Sequence, residues 1–138
     1  MTLVFTSYTT VTKTHDIPPH GKANKGDKIE FKDLLVAQSN QLGKRKGKPV
    51  GYDAGTVVYT SAKEQSIQGV TTFPGFGTLT FGGPMRSTKD GTVRVPVLKG
   101  TGSFRGAKGT LIIGAGDQKA PNTYVLRLLH PLPSPGSA

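Results

Sequence analysis

The sequence predicts an all-β domain, either a sandwich or a barrel, with little or no helix. Its 138 residues include 19 glycines and 10 prolines, and both residue types break helices. Threonine and valine are also frequent, and both favour the pleated surface of a sheet. Strand-like segments bounded by turn residues recur about every ten residues, which is the spacing typical of sandwiches and barrels.

The composition limits the domain organisation and the kinds of site. We expect a single domain over residues 1–130 and a flexible C-terminal tail, "PLPSPGSA", over residues 131–138. The chain has no cysteine, which excludes disulfides and thiolate metal sites. No apolar run approaches the roughly 20 residues of a membrane span, and "MTLVFTSYTT" lacks the pattern of a signal peptide. The compartment stays open: the cytoplasm, or export with a leader removed.

The first predicted strand is "LVFTSYTTVTKT", which is rich in threonine and aromatic residues. Alternation puts Leu3, Phe5 and Val11 on one face of this strand and Tyr8 on the other. Pro18 and its neighbours then interrupt pairing, because proline cannot donate a hydrogen bond to a strand ladder.

The second predicted strand, "KIEFKDLLV", carries an acid on its apolar face. Ile29, Phe31 and Leu35 alternate with charged residues, and Asp33 shares their parity. An acid among apolar neighbours has a raised pKa and can act as a general acid or base. The alternative is that the strand ends before Asp33, or that the carboxylate accepts hydrogen bonds in a turn.

Six further segments are predicted strands. A lysine-rich loop, "QSNQLGKRKGKP", separates the second strand from the third. The six segments are "VGYDAGTVVYTSA", "QSIQGVTTF", "GFGTLTFGG", "GTVRVPVL", "GTLIIGA" and "NTYVLRLLH".

The glycine-rich stretch "GTGSFRGAKGT", residues 100–110, raises the question of a phosphate-binding loop. Such a loop needs a helix after its glycines, with the N-terminus of the helix facing the phosphate. Here the β-branched segment "TLII" follows, and the glycine spacing fits neither of the two common nucleotide motifs. The stretch therefore predicts a tight connection between paired strands, with glycines that adopt positive φ.

The formal net charge of +10 indicates solubility or an anionic partner. Lys44, Arg45, Lys46 and Lys48 cluster in one segment, which is typical of a solvated loop. No nucleic-acid motif accompanies the cluster and no helix is available to enter a groove, so the sequence predicts against nucleic-acid binding. His15, His20 and His130 lie far apart with no carboxylate at ligand spacing, which predicts no metal site.

Several segments in order resemble the plant dirigent proteins and allene oxide cyclases. The segment "GTGSFRGAKGTLII" resembles their glycine signature, and "GDKIEFKDLLVAQSNQLGKRKGKPVGYDAGTVVYT" resembles their second strand, loop and third strand. "GTLTFGGPM" is similar to a later strand, and the dipeptide His15-Asp16 is similar to one that follows the first strand of dirigents. Together the matches cover most of residues 3–128, and compact bacterial allene-oxide-cyclase-like barrels are the expected relatives.

The resemblance implies an eight-stranded antiparallel β-barrel whose apolar interior has room for one small ligand. It implies cyclisation or coupling of an apolar substrate, without a metal or an organic cofactor. It also implies assembly as a homodimer or homotrimer.

Aligned positions carry part of the family's site residues. Asp16 matches the dirigent aspartate, Asp33 lies at the position of a pocket asparagine, and Val57 lies at that of a pocket cysteine. Two positions depart from the pattern. Lys13 stands where allene oxide cyclases have a glutamate, which argues against their specific reaction, and Lys108 stands where dirigents have an arginine.

We therefore predict a catalytic set and a substrate-binding set. Asp16, Asp33 and His15 are predicted to handle protons, although Asp16 in a turn also fits a capping role. Each aromatic candidate taken singly is better explained as ordinary core. Arg94 is expected to face water, since an inward arginine would need Asp33 or Asp16 as an acidic partner. The predicted substrate-binding residues are Tyr8, Phe31, Tyr59, Phe73, Arg94, Arg105 and Tyr124.

Two hypotheses for function follow. The first is a cyclase or isomerase-like barrel that guides ring closure or coupling of a polyketide-like, fatty-acid-like, terpenoid-like or phenolic substrate. The second is a non-catalytic barrel that binds a ligand or is exported and meets an anionic polymer with a basic face. A roomy cavity with a buried carboxylate favours the enzyme, and an interior filled by side chains favours the second hypothesis.

Overall fold

Nearly all of the chain that the structure describes is β-strand. The computed structural model describes residues 2–15, 24–38, 44–61, 64–87, 92–114 and 122–128. One 3-10 turn, Gly102–Phe104, is present among these residues, and none of their helices is long and apolar enough to span a membrane. The strands are β1 (Thr2–His15), β2 (Lys28–Ala37), β3 (Pro49–Tyr59), β4 (Gln65–Phe73), β5 (Gly77–Pro84), β6 (Arg86–Ser87), β7 (Thr92–Gly100), β8 (Gly109–Gly114) and β9 (Asn122–Leu128).

The strands close into a barrel. Their order is β5-β4-β3-β2-β1-β9-β8-β7-β6, and β5 also pairs with β7, so the sheet has no open edge there. The short strand β6 continues the course of β5 along β7, because Arg86 pairs with Arg94 and Phe81 pairs with Val97. The result is a closed barrel of eight antiparallel strands, and the prediction of this fold is confirmed.

The two ends of the barrel differ. At the closed end, where β2–β3, β4–β5 and β7–β8 are connected, Phe5, Phe73 and Phe104 fill the interior and are almost fully buried. The ring centroids of Phe5 and Phe73 lie 5.3 Å apart, as do those of Phe73 and Phe104. We call these three rings the aromatic plug. The opposite end, where β1–β2, β3–β4 and β8–β9 are connected, is the mouth.

The glycine-rich stretch builds this plug. It connects β7 to β8 through the 3-10 turn that carries Phe104. Gly102 and Gly106 have positive φ values of 60° and 77°. A Cβ atom at Gly100 would lie 2.0 Å from the Phe104 carbonyl oxygen, so only glycine allows this approach. The predicted tight connection is therefore confirmed, and its glycines hold a side chain in the core.

A bulge in β1 overturns the strict alternation predicted for that strand. Thr9 pairs with Asp33 and Val11 pairs with Lys32, so Thr10 is an extra residue. Beyond the bulge the faces are exchanged, and Val11 is 49% exposed rather than sharing the inner face with Leu3 and Phe5. The prediction for Val11 is wrong because sequence alternation does not reveal a bulge.

We expect Phe104→Ala to destabilise the barrel by about 3–5 kcal/mol, because it removes a buried ring and leaves a cavity in the plug. Urea unfolding followed by circular dichroism measures this loss. Leu98→Ala, at a side chain that is 55% exposed, is the control and should change stability by less than about 0.5 kcal/mol. Equal losses in the two variants would contradict a structural role for the plug.

Candidate functional site

A cavity of about 400 Å³ occupies the mouth half of the barrel, above the aromatic plug. Most of its wall is apolar, and its acidic and hydroxyl groups come from four strands, β1, β2, β3 and β9. The volume falls in the range of about 300–1,000 Å³ that is typical of small-molecule sites. The lining residues are Ser7, Thr9, Thr12, Ile29, Phe31, Asp33, Asp53, Val57, Ile67, Phe81, Met85, Ile113 and Tyr124.

A row of polar side chains crosses the wall from β1 to β4. Thr9 pairs with Asp33, Asp33 pairs with Asp53, and Asp53 pairs with Thr71. Directly opposite residues on antiparallel strands have Cβ atoms only about 5 Å apart and point to the same face of the sheet. The strand register thus aligns two carboxyl groups side by side in a largely apolar cavity.

Asp53 is the buried acid of the pair, and its pKa is strongly shifted. Its side chain is only 3% exposed, and its Oδ1 has no hydrogen-bond partner among the residues that the structure describes. Burial, and after it the side-chain hydrogen bond and the negative charge of Asp33, together raise the pKa of Asp53 from 3.8 to about 9. At neutral pH, Asp53 is therefore a neutral acid beside the side chain of Asp33.

Tyr124 lies on the same wall, with its hydroxyl bound to Thr71. The Oη atom of Tyr124 and the Oγ1 atom of Thr71 form a hydrogen bond, and both side chains are almost fully buried. Burial raises the pKa of Tyr124 well above its ordinary value, and the nearby Asp53 adds to this. The phenol thus stays neutral and extends the polar row around the barrel.

The cavity wall carries no positive charge. Among the described residues that line it, none is lysine, arginine or histidine. No described basic side chain on the wall therefore neutralises the Asp33–Asp53 pair. Such a pair can donate a hydrogen bond from one oxygen and accept a proton at another.

Three of the predicted site residues lie on the cavity wall: Phe31, Asp33 and Tyr124. Phe73 lies below them in the aromatic plug. Tyr59 is half-buried near the mouth end of β3, outside the cavity lining. The structure thus brings Phe31, Asp33 and Tyr124 together, while their roles toward a substrate stay predictions.

The other predicted residues lie away from the cavity. Tyr8 is 45% exposed, and Arg94 is exposed on β7. Arg105 is exposed in the β7–β8 connection at the closed end. His15 is exposed at the mouth, where its Nε2 lies 3.1 Å from the Glu30 carboxylate. Asp16 lies outside the described residues.

Sequence reasoning missed Asp53, although a signal for it exists. Val57 was placed in the pocket by resemblance, and Asp53 precedes it by four residues on the same strand. Side chains an even number of residues apart on a strand point to the same face, so Asp53 could have been assigned to the interior with Val57. Thr71 carries no comparable signal, because its place depends on the pairing of β3 with β4.

Comparison with solved structures identifies the architecture. Pyocyanin demethylase superposes with a TM-score of 0.75 at 21% identity, over 93% of this chain and 99% of that one. AbnU, an exo-specific intermolecular Diels-Alderase, superposes with a TM-score of 0.69 at 16% identity, over 93% and 96% of the chains. A pterocarpan synthase dirigent protein gives 0.65 at 19% identity, over 93% and 82%.

The fold is that of the allene oxide cyclase and dirigent-like β-barrels. No protein-family profile and no curated protein sequence matches the chain. The predicted resemblance is thus confirmed at the level of the dirigent-like fold.

Asp53 should make this dirigent-like barrel less stable as pH rises. Between its ordinary pKa of 3.8 and its folded value of about 9, the unfolded chain releases a proton that the folded protein keeps. The free energy of unfolding then falls by up to about 1.4 kcal/mol per pH unit from this group. We expect Asp53→Asn to flatten that fall and to raise the melting temperature at pH 8.

Thermal unfolding from pH 5 to pH 9 measures this effect. The control is Glu64→Gln, which alters an exposed carboxyl outside the cavity and should leave the wild-type slope unchanged. If the Asp53→Asn curve runs parallel to the wild-type curve, Asp53 does not hold its proton in the folded state.

Proposed function

We propose that the protein is a cofactor-independent cyclase or isomerase that binds a small, largely apolar substrate in the cavity and steers ring closure or coupling. The observation that carries this proposal is the Asp33–Asp53 pair, set side by side in an apolar, accessible cavity. Proteins of the same fold include a Diels-Alderase and a pterocarpan synthase dirigent protein, which supports chemistry of this class.

Asp53 is suited to act on an oxygen atom of the substrate. As a neutral acid whose side chain lines the cavity, it can donate a hydrogen bond to a substrate oxygen such as a carbonyl. The bond withdraws electron density from the carbonyl and stabilises negative charge that develops on it during ring closure. In the low-dielectric cavity this interaction is stronger than the same bond in water.

Asp33 complements Asp53 as the acceptor of the pair. Its carboxylate lies directly opposite Asp53 and is half-buried on the cavity wall. If the substrate takes the proton from Asp53, Asp33 can accept a proton from a neighbouring carbon or hydroxyl of the same substrate. The overall reaction is an isomerisation, because Asp53 gives one proton to the substrate, Asp33 takes one from it, and no oxidant is consumed.

The cavity shape supplies the second part of catalysis. Phe31, Phe81 and Ile113 line the wall and favour an apolar chain or ring held in one conformation. Holding a reactive chain in a productive fold can remove several kcal/mol from a barrier. A polyketide-like, fatty-acid-like, terpenoid-like or phenolic substrate with one polar end fits this distribution of apolar and acidic groups.

Native mass spectrometry of protein purified from its own host tests for a retained small molecule. The captured compound is then incubated with fresh protein, and products are separated by liquid chromatography. Conversion to an isomer of the same mass supports the enzyme. Retention of the compound without conversion favours the alternative, a non-catalytic ligand-binding barrel.

Asp33→Asn and Asp53→Asn should each lower turnover of that compound by about 10²–10⁴-fold, the range for loss of a general acid or base. We expect the melting temperature of Asp33→Asn to stay close to that of the wild type. Glu64→Gln is the matched control and should keep full activity, because its carboxyl is exposed outside the cavity. Full activity in either aspartate variant removes that residue from the mechanism.

The pH profile gives a separate test of the role of Asp53. The reaction needs Asp53 protonated, so kcat/KM should stay level through neutral pH and fall as pH rises through about 9. The measurement is initial rate against pH at low substrate concentration. A rate that increases through this range would identify the ionised form as the active one and overturn the assignment.

A further inference from the structure

Charge is segregated between the two ends of the barrel. All the described carboxyl groups lie at the mouth or in the cavity: Asp27, Glu30 and Glu64 near the mouth, Asp33 and Asp53 on the wall. The closed end carries exposed cations and no described carboxylate. The exposed cations there are Lys44, Arg45, Lys46, Lys48, Lys99, Arg105, Lys108 and Arg127, and we call them the basic end.

The segregation is also visible in the sequence. Residues 34–52, which include the β2–β3 connection, contain no aspartate or glutamate. Residues 91–116, which include the β7–β8 connection, also contain none. Among the described residues, the basic end carries eight cations and no carboxylate, so most of their net positive charge lies on one side of the molecule.

Backbone hydrogen bonds hold the basic end against the barrel. The N–H of Gly47 donates to the Ala37 carbonyl at 2.8 Å, and the N–H of Ala37 donates to the Lys48 carbonyl at 3.0 Å. In the second connection, the N–H of Arg105 donates to the Gly102 carbonyl at 3.2 Å. Lys48 and Arg105 thus lie in hydrogen-bonded segments at this end, where the mutual repulsion of neighbouring cations is a cost to the folded state.

The distribution of the cations favours one kind of anionic partner. The cavity at the mouth and the two others along β1–β3 are lined by no residue of the basic end. No long helix that could enter a duplex groove is present among the described residues. The cations of the basic end come from the β2–β3 and β7–β8 connections and from the closed-end parts of β7 and β9, and this spread matches a broad anionic surface better than a narrow polymer.

We propose that the basic end docks on the surface of a lipid bilayer that contains anionic headgroups. The attraction is electrostatic and falls off within the screening length of the solution. Docking by the closed end leaves the mouth directed away from the bilayer, so the cavity stays open to the solution. This inference does not depend on the proposed cyclase activity.

Co-sedimentation with lipid vesicles tests the proposal. The full chain is mixed with vesicles of phosphatidylcholine, with or without phosphatidylglycerol, at about 0.15 M salt. We expect binding only to the vesicles that contain phosphatidylglycerol, with release at high salt. The triple variant Arg45→Gln, Arg105→Gln and Lys108→Gln should bind on the order of a hundredfold more weakly, about fivefold for each cation removed.

A second triple variant separates a local surface from net charge alone. Lys13→Gln, Lys25→Gln and Lys28→Gln removes the same charge from exposed positions near the mouth and should retain most of the binding. Equal loss in the two triple variants overturns the proposal, as does absence of binding to anionic vesicles. Binding of a DNA or RNA duplex at this salt, without vesicle binding, would assign the basic end to nucleic acid instead. All the changed side chains are exposed, so melting temperatures should stay near that of the wild type.

Discussion

The pairing of β5 with β7 is the contact on which the interior depends. Leu79 pairs with Gly100 and Phe81 pairs with Val97, and these contacts turn an open sheet into a cylinder. Without them, the inner faces of eight strands would meet water, and neither the plug nor the cavity would exist. Closure also removes two sheet edges that would otherwise be free to pair with other chains.

Within the closed barrel, the register of β2 against β3 determines which of their side chains face the cavity. Side chains alternate on a strand, so a slip of one residue would move Asp33 or Asp53 to the outer wall. In the observed register the two carboxyls meet inside, where burial keeps one of them protonated. At neutral pH the two carboxyls lower the free energy of unfolding, because an apolar pair at these positions would carry no ionisation penalty. Sites that lower stability in this way are more often kept for function than for folding.

Much of the fold could be predicted from the sequence, and less of the site. Glycine and proline spacing, together with alternation in segments such as that of Phe31 and Asp33, was sufficient for the strands. The closure of the barrel and the number of its strands were predicted from the resemblance to the dirigent-like family, because the sequence of one strand does not show which strand it pairs with. The bulge at Thr10 and the pairing of Asp53 with Asp33 depend on contacts between distant segments, which alternation within a segment does not encode. For the same reason the exposed position of Tyr8 could not be separated from an inward one, whereas the cost of burying a charge was enough to predict the exposure of Arg94.

The aromatic plug explains how a strongly basic protein keeps a neutral aspartic acid. A nearby cation would favour the ionised carboxyl and lower its pKa, yet only burial and Asp33 act appreciably on Asp53. Arg105 and its basic neighbours project outward at the closed end, where water and salt screen their charge. Phe5, Phe73 and Phe104 stand between those cations and the cavity. The glycine-rich stretch thus serves both ends of the barrel, because it places cations on the outer rim and turns Phe104 inward to keep them apart from the carboxyl pair.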